Sequence, residues 1–386
     1  MNTDKKRIAI MVGAGFVPGM NAVIKGAALA ADQLGWEVVG IRDGFEGLLH
    51  PERYPEGGLL PLTPQLIENL DPAASGALGQ SGRIDPFNVR QINADEMVEE
   101  VDKSDELLAK LKAEKIDALI AVVGGQGLTI LYKLHAKGLN TVCVPRAIEN
   151  DISATLVSFG FNSALSFTIE MLDKARQAAQ AARKIAVVEV LGAQTGWLAL
   201  QAGIAAGADA VLIPEIPCDL KKVAARLKEK MTNRRSYGLV VVAEGAKLVA
   251  NPKAKTDQPP ADSLKASLSP LATGDNSAHV IQRSGQAADM VATGLQLQIA
   301  EETFPLVLGI WARCGVSTAV DRQLGLAYGA AAVQALNAGQ NGVMVAFVPP
   351  AIKFVPLVEA INKVRTVPAE NEFLKTALSL GICLGN

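Results

Sequence analysis

Twice in this chain a short apolar run ends in glycines that open onto a helical pattern. Arg7–Val12 (RIAIMV) leads into Gly13-Ala14-Gly15 and Pro18-Gly19-Met20-Asn21, and Asp117–Val123 (DALIAVV) leads into Gly124-Gly125-Gln126-Gly127. A strand that hands its carboxyl end to a glycine turn and then a helix opens a βα unit. There bare backbone amides approach an anion at the positive end of the helix dipole. One such turn reads equally well as a plain tight turn; two at the same sheet edge point to a phosphate site. Phosphoryl transfer also needs Mg²⁺, usually steered by a carboxylate, and Gln126 is neutral.

The same alternation runs on. Helical spacing over Asn21–Leu34, Ser104–Glu114, Leu128–Ala136, Ser163–Ala182, Gly196–Ala206 and Leu220–Met231 alternates with strands at Glu37–Ile41, Leu139–Val144, Lys184–Val190, Ala210–Ile213 and Tyr237–Ala243. This predicts an α/β chain of two Rossmann-like three-layer domains with mostly parallel sheets, ligands lying beyond the carboxyl ends of the strands. At 386 residues, 49% hydrophobic, the chain can bury two cores. A formal net charge of -2 gives no nucleic-acid footprint. Thr195–Ile216 is the most membrane-like stretch, but Gln201, Asp209 and Pro214 interrupt it, so a buried helix and strand are expected rather than a span. Four scattered cysteines form no C-x-x-C pair, which predicts reduced thiols and a cytoplasmic protein. Residues 250–278, rich in Pro, Lys, Ser and Asp, read as a mobile insertion before a helix near Val280.

Several polar residues fall where ligands of such folds bind. Glu149 and Asp151, in Pro145–Asp151 after a third strand, offer a general base and an electrostatic partner, or a solvated acidic turn. Arg146 beside them suits a phosphate. Glu189 inside an apolar strand, Glu244 at a strand terminus and Arg313 at the strand end after LGIWA are further candidates. His50, His135 and His279 show no metal spacing and read as surface residues.

These motifs, taken in order over nearly the whole chain, resemble the phosphofructokinase family, which phosphorylates fructose 6-phosphate using ATP or pyrophosphate. Pro18-Gly19-Met20-Asn21 and Ile41–Gly47 look like its first loop and G-[IV]-x-x-G-[FY]-x-G segment; Val122-Val123-Gly124-Gly125 is similar to the strand before its GGDG loop. Ile148–Ile152 resembles T-I-D-N-D-I, Gly160–Ala164 G-F-x-T-A, Val187–Gly192 V-V-E-V-M-G, and Leu308–Arg313 with Asp321-Arg322 L-G-H-I-Q-R-G-G and its trailing D-R. Thr195–Leu200, Gly207–Asp209 and Pro214–Pro217 look like the branch holding pyrophosphate-dependent enzymes and ATP-dependent relatives. The donor markers conflict: Arg146 stands near a pyrophosphate-type Lys, while Gly127 is ATP-like.

The resemblance implies a catalytic pair Glu149 and Asp151. It implies donor-phosphate contacts from Gly15, Arg83, Gly125, Gln126, Gly127 and Arg146, and sugar-phosphate contacts from Lys184, Gly192, Glu244 and Arg313. It implies a donor-side domain of 1–160 plus 311–360 and a sugar-phosphate-side domain of 161–310 plus 361–386, the site in the cleft, and a dimer or tetramer in which Lys184 reaches a neighbour's site. The departures fall on ligand positions. The catalytic aspartate is Glu149, whose carboxyl reaches about 1.5 Å further. The threonine before it is Ala147, the metal-associated aspartate is Gln126, and the hydroxyl after that is Leu128. The first GGD becomes Ala14, Gly15 and Phe16; two arginines become Ala193 and Phe304, a histidine Ile310, and a further arginine Lys184.

At about 1.5–3 kcal/mol per charge-assisted hydrogen bond, two lost arginines and a histidine weaken sugar-phosphate binding by on the order of a thousandfold or more. The expected function is therefore a family member with little or no ordinary turnover, bound to itself, to an active paralogue or to a small phosphorylated ligand. Mg²⁺ binding is weakened, no metal ligand is assigned, and the donor, ATP or pyrophosphate, is undecided. The alternative is an active phosphotransferase with a changed acceptor or donor, Glu149 acting as base. A third, more distant reading is a relative of the NAD kinase and diacylglycerol kinase group, which also carries GGDG-type loops.

Overall fold

The structure is a computed structural model; it describes residues 5–79, 85–93, 96–231, 235–249, 285–361 and 363–386. The expected insertion at 250–278, the helix start near Val280, Arg83 and His279 lie outside the described residues. The chain divides into two compact units, Met1–Ala164 with Arg313–Arg365, and Leu165–Ala312 with Thr366–Asn386.

The first unit is built on seven strands: β1 (Arg7–Val12), β2 (Glu37–Ile41), β3 (Leu59–Pro61), β6 (Ala118–Val123), β7 (Thr141–Pro145), β12 (Val343–Val348) and β13 (Ala351–Pro356), after a separate hairpin of β4 (Val89–Ile92) and β5 (Val98–Val101). Their order is β13-β12-β7-β6-β1-β2-β3. The interior pairs are parallel, and both edges close with an antiparallel pair, β12 with β13 and β2 with β3. Both faces are buried, as continuous apolar runs require. Ala9, Met11, Leu119, Ala121 and Val123 pack with Leu107 and Leu111 of the helix Ser104–Ala113 and Leu128, Leu131 and Leu134 of the helix Gly125–Ala136. The alternate residues Ile8, Ile10, Ile120 and Val122 are buried to the same degree.

The helices Met20–Gln33 and Ala319–Asn337 pack on each other, and Ala319–Asn337 also touches β6, β7 and β12. Their backbones meet through glycines. A Cβ on Gly329 would lie 2.2 Å from the Val23 carbonyl oxygen and 2.6 Å from the Ala27 nitrogen.

The second unit has a four-stranded parallel sheet of β8 (Ile185–Val190), β9 (Ala210–Leu212), β10 (Gly238–Ala243) and β11 (Thr303–Val307), ordered β11-β8-β10-β9. Ile185, Val187, Ala210, Leu212, Val240 and Val242 pack with Val223 and Leu227 of the helix Leu220–Lys230 and Ala288, Val291 and Leu295 of the helix Gln286–Gln296. The membrane-like stretch is the helix Trp197–Ala205 followed by β9. Among the described residues no helix is long and apolar enough to cross a membrane.

Most predicted elements lie within a residue or two of their observed ends. One differs in meaning. The second helix opens at Gly125 rather than Leu128, so the expected glycine loop is the helix's own first turn. Arg313 ends not a strand but a 3-10 turn, Gly309–Arg313, beyond β11. His50 and His135 are both half-buried rather than surface residues, the Nδ1 of His135 2.9 Å from the Leu139 carbonyl oxygen. Gly329→Ala should destabilise the protein by about 1–3 kcal/mol despite alanine's better helix propensity, because the new methyl group meets backbone. Urea denaturation would show a lower midpoint with an unchanged slope.

Candidate functional site

In the first unit the polar residues singled out in the sequence gather at the carboxyl ends of β1, β6 and β7. The Gly13 amide donates to Val122 O (2.9 Å), which sets the first glycine turn beside the second. Gly124 caps the helix Gly125–Ala136, and the Leu128 amide is the first to bond back, to Gly124 O. The amides of Gly125, Gln126 and Gly127 thus belong to the open first turn of a helix. Gln126 is exposed, whereas Leu128 is fully buried in the core and faces no ligand. Phe16, in the first turn, is 41% exposed.

The end of β7 organises the rest. Arg146 is 6% exposed, and its guanidinium donates to the carbonyl oxygens of Ala14 and Gly15. Burial, and Arg313 nearby, lower its pKa to about 10, so it stays charged at neutral pH. The Glu149 Oε1 accepts from Arg313 Nη2 at 2.6 Å. Between the two acids sits Asn150, buried in the left-handed region (φ 54°), a conformation Asn tolerates better than most residues. Its side chain accepts from the Ser158 amide (2.9 Å) and donates to Leu156 O (3.3 Å), which fixes the turn and aims its neighbours. Sequence reasoning passed over Asn150; an asparagine between two acids was the available signal.

Asp151 is half-buried, and burial, with Glu149 beside it, raises its pKa to about 6. Of the groups here, exposed Gln126 offers a neutral amide oxygen and Glu149 is held by a guanidinium, a donor set poor in the free ionised oxygens that magnesium takes. Among the described residues no group of three or more His, Cys, Asp or Glu could hold a metal.

In the second unit the arrangement differs. Lys184 pairs with Glu302. Glu244 accepts from the Gly192 amide at 3.4 Å, and Gly192 sits at φ 148°. Glu189 is not a ligand-facing residue. It is 1% exposed and accepts from the Gly285 (2.6 Å) and Ala288 (2.9 Å) amides, capping the helix Gln286–Gln296. Ala193 and Ile310 are exposed and Phe304 is half-buried.

The family model described as Phosphofructokinase matches residues 7–336. The chain belongs to the phosphofructokinase family. It is 34% identical over 389 aligned residues, covering 100% of this chain and 99% of its relative, to an ATP-dependent 6-phosphofructokinase of Chloroflexus aurantiacus. It is 34% identical, over 98% of both chains, to ATP-dependent 6-phosphofructokinase 2 of Clostridium perfringens. Among solved structures, the pyrophosphate-dependent phosphofructokinase of Marinobacter aquaeolei superposes with a TM-score of 0.73 at 20% identity, over 99% of this chain and 92% of that one. This likeness shows the phosphofructokinase fold, and the family's chemistry is glycolytic phosphoryl transfer.

The raised Asp151 pKa makes a signed prediction. A carboxyl whose folded pKa exceeds its unfolded value costs stability once the pH rises above the unfolded value, in full above the folded one. Between about pH 4 and pH 6 the protein should therefore lose stability at this residue as pH rises. Asp151→Asn should flatten that slope and stabilise the protein at pH 7 by about 1–3 kcal/mol, measured by denaturant titration across the range.

Proposed function

We propose that this phosphofructokinase-family chain binds a small phosphorylated ligand or phosphate donor but turns over fructose 6-phosphate slowly or not at all, acting as a companion or regulatory subunit. The observation that carries this reading is the 2.6 Å pair between Glu149 and Arg313. The acid at the position of the family's base spends its oxygen on a guanidinium, so it is poorly placed to take a proton from a sugar hydroxyl. Gln126 adds no charge for a metal, and Ala193, Phe304 and Ile310 supply no cations for a sugar phosphate. The retained glycine turns, Arg146 and Arg313 support binding of phosphate without that chemistry. On this reading Gly15, Gly125, Gln126, Gly127 and Arg146 serve the donor side, and Lys184, Gly192, Glu244 and Arg313 the sugar side. The protein works in the cytoplasm as a homo-oligomer or mixed oligomer.

Asp151 supports a second reading. An acid with a pKa near 6 can exchange protons close to neutral pH, so a phosphotransferase with another acceptor, with Glu149 or Asp151 as base, deserves a direct screen. Pure protein given fructose 6-phosphate, Mg²⁺ and ATP or pyrophosphate should turn over at less than about 0.1 per second, against 1–100 for typical kinases. Several turnovers per second would overturn the first reading. A panel of unphosphorylated sugars and nucleosides with both donors tests the second, and silence across it counts against that reading. Small-angle scattering should give a particle of at least two chains; a monomer contradicts the oligomer.

A further inference from the structure

Two free cysteines, far apart in the chain, meet at one edge of the second unit's sheet. β9 is the last strand in that sheet, and the segment 382–385 runs along its outer side. The Val211 amide donates to Cys383 O and the Cys383 amide to Asp209 O, each at 2.9 Å. Ile382 and Leu384 on either side are buried, and Arg226 donates twice to Gly381 O, at 2.9 and 2.8 Å. Gly385 then lies against both sulfurs. Its amide donates to Cys383 Sγ at 3.4 Å, its carbonyl oxygen accepts from the Asp219 amide at 2.8 Å, and a methyl group added to it would meet Cys218 Sγ at 2.7 Å. Both cysteines belong to the apolar cluster beneath the sheet, Cys218 buried within it and Cys383 half-buried against it. Burial, with Cys383 nearby, pushes the Cys218 thiol up to about 12.

We propose that Cys218 and Cys383 form a redox-sensitive clasp, two thiols at rest and a disulfide when small-molecule disulfides accumulate, which pins the segment 382–385 to the edge of β9. Exposure sets the order of events, because the accessible thiol reacts first. The Cys383 thiolate attacks one sulfur of the small disulfide, whose S–S bond breaks and expels a thiolate. The Cys218 thiolate then attacks the Cys383 sulfur and expels the second. The two protons given up by the cysteines go to the two small thiols released. The cysteines are oxidised by two electrons and the small disulfide is reduced by two. Excess small thiol runs the same steps backwards. A reversible bond of this kind suits a reducing compartment, where disulfides serve as sensors rather than as fixed braces.

The test equilibrates the full-length protein in mixtures of reduced and oxidised glutathione, then quenches, denatures, alkylates and maps it by mass. The expected product is a peptide pair joined between Cys218 and Cys383. In concentrated urea the same two residues sit on a loose loop of about 165 residues. There the equilibrium should favour the disulfide at least about tenfold less than in plain buffer, because only the fold holds the two thiols together. By the same linkage the oxidised protein should unfold at a higher urea concentration than the reduced protein, and dithiothreitol should abolish the difference. Cys383→Ser should unfold at one midpoint whether or not oxidised glutathione is present. No joined pair under native conditions, glutathione remaining on Cys383 alone, or a disulfide favoured equally in urea overturns the proposal. The wild-type chain alone yields each of these readings, so a poorly folding variant leaves the test intact.

Discussion

A buried cation sets the geometry of the first unit's strand ends. Arg146 leaves β7 with almost no exposure to water, and a guanidinium there must be solvated by protein or lose its place. The carbonyl oxygens of Ala14 and Gly15 do that work, tying the turn after β1 to the end of β7 across the intervening strand β6. The first glycine turn is thereby held by a charge as well as by the Gly13 amide bond to Val122 O. Nearby, Arg313 donates to Glu149, and Glu149 together with burial raises the Asp151 carboxyl.

Three carboxylates elsewhere serve the backbone. Glu189 caps the helix Gln286–Gln296, Asp321 accepts from the Gly160 and Ser163 amides at the start of the helix Phe161–Ala182, and Glu215 accepts from the Gly196 amide before the helix Trp197–Ala205. Each places negative charge at the positive end of a helix, where open amides need acceptors. In the sequence such residues look like active-site acids. The partner distinguishes them: these acids meet backbone amides at or near a helix start, whereas Glu149 meets a side-chain cation.

Kinship and site chemistry pull apart in this chain. Identity near 34% over the full length of the Chloroflexus relative goes with an intact pair of cores. Core positions tolerate exchange among apolar residues of similar size, so the fold survives while functional groups change. The reverse does not hold: an extra methylene in an acidic side chain moves its carboxylate by a bond length, a small change for packing and a large one for any chemistry that needs exact placement.

The strands, the helices and the parallel character of the sheets were legible in the sequence, because continuous apolar runs alternating with helical spacing bury both faces in only a few ways. The strand-end glycines and the acids after β7 were legible too, as residue types at the right places. The antiparallel edges β3 and β13 were not: an edge strand is chosen by what lies beside it, not by its own pattern. Nor could the sequence tell that Glu189 faces amides and Glu149 a guanidinium, or that Arg146 reaches past β6 to meet Ala14 and Gly15. Sequence determines which groups are available at each strand end. Which groups meet depends on distances between segments 96 to 164 residues apart, and only the folded backbone sets those.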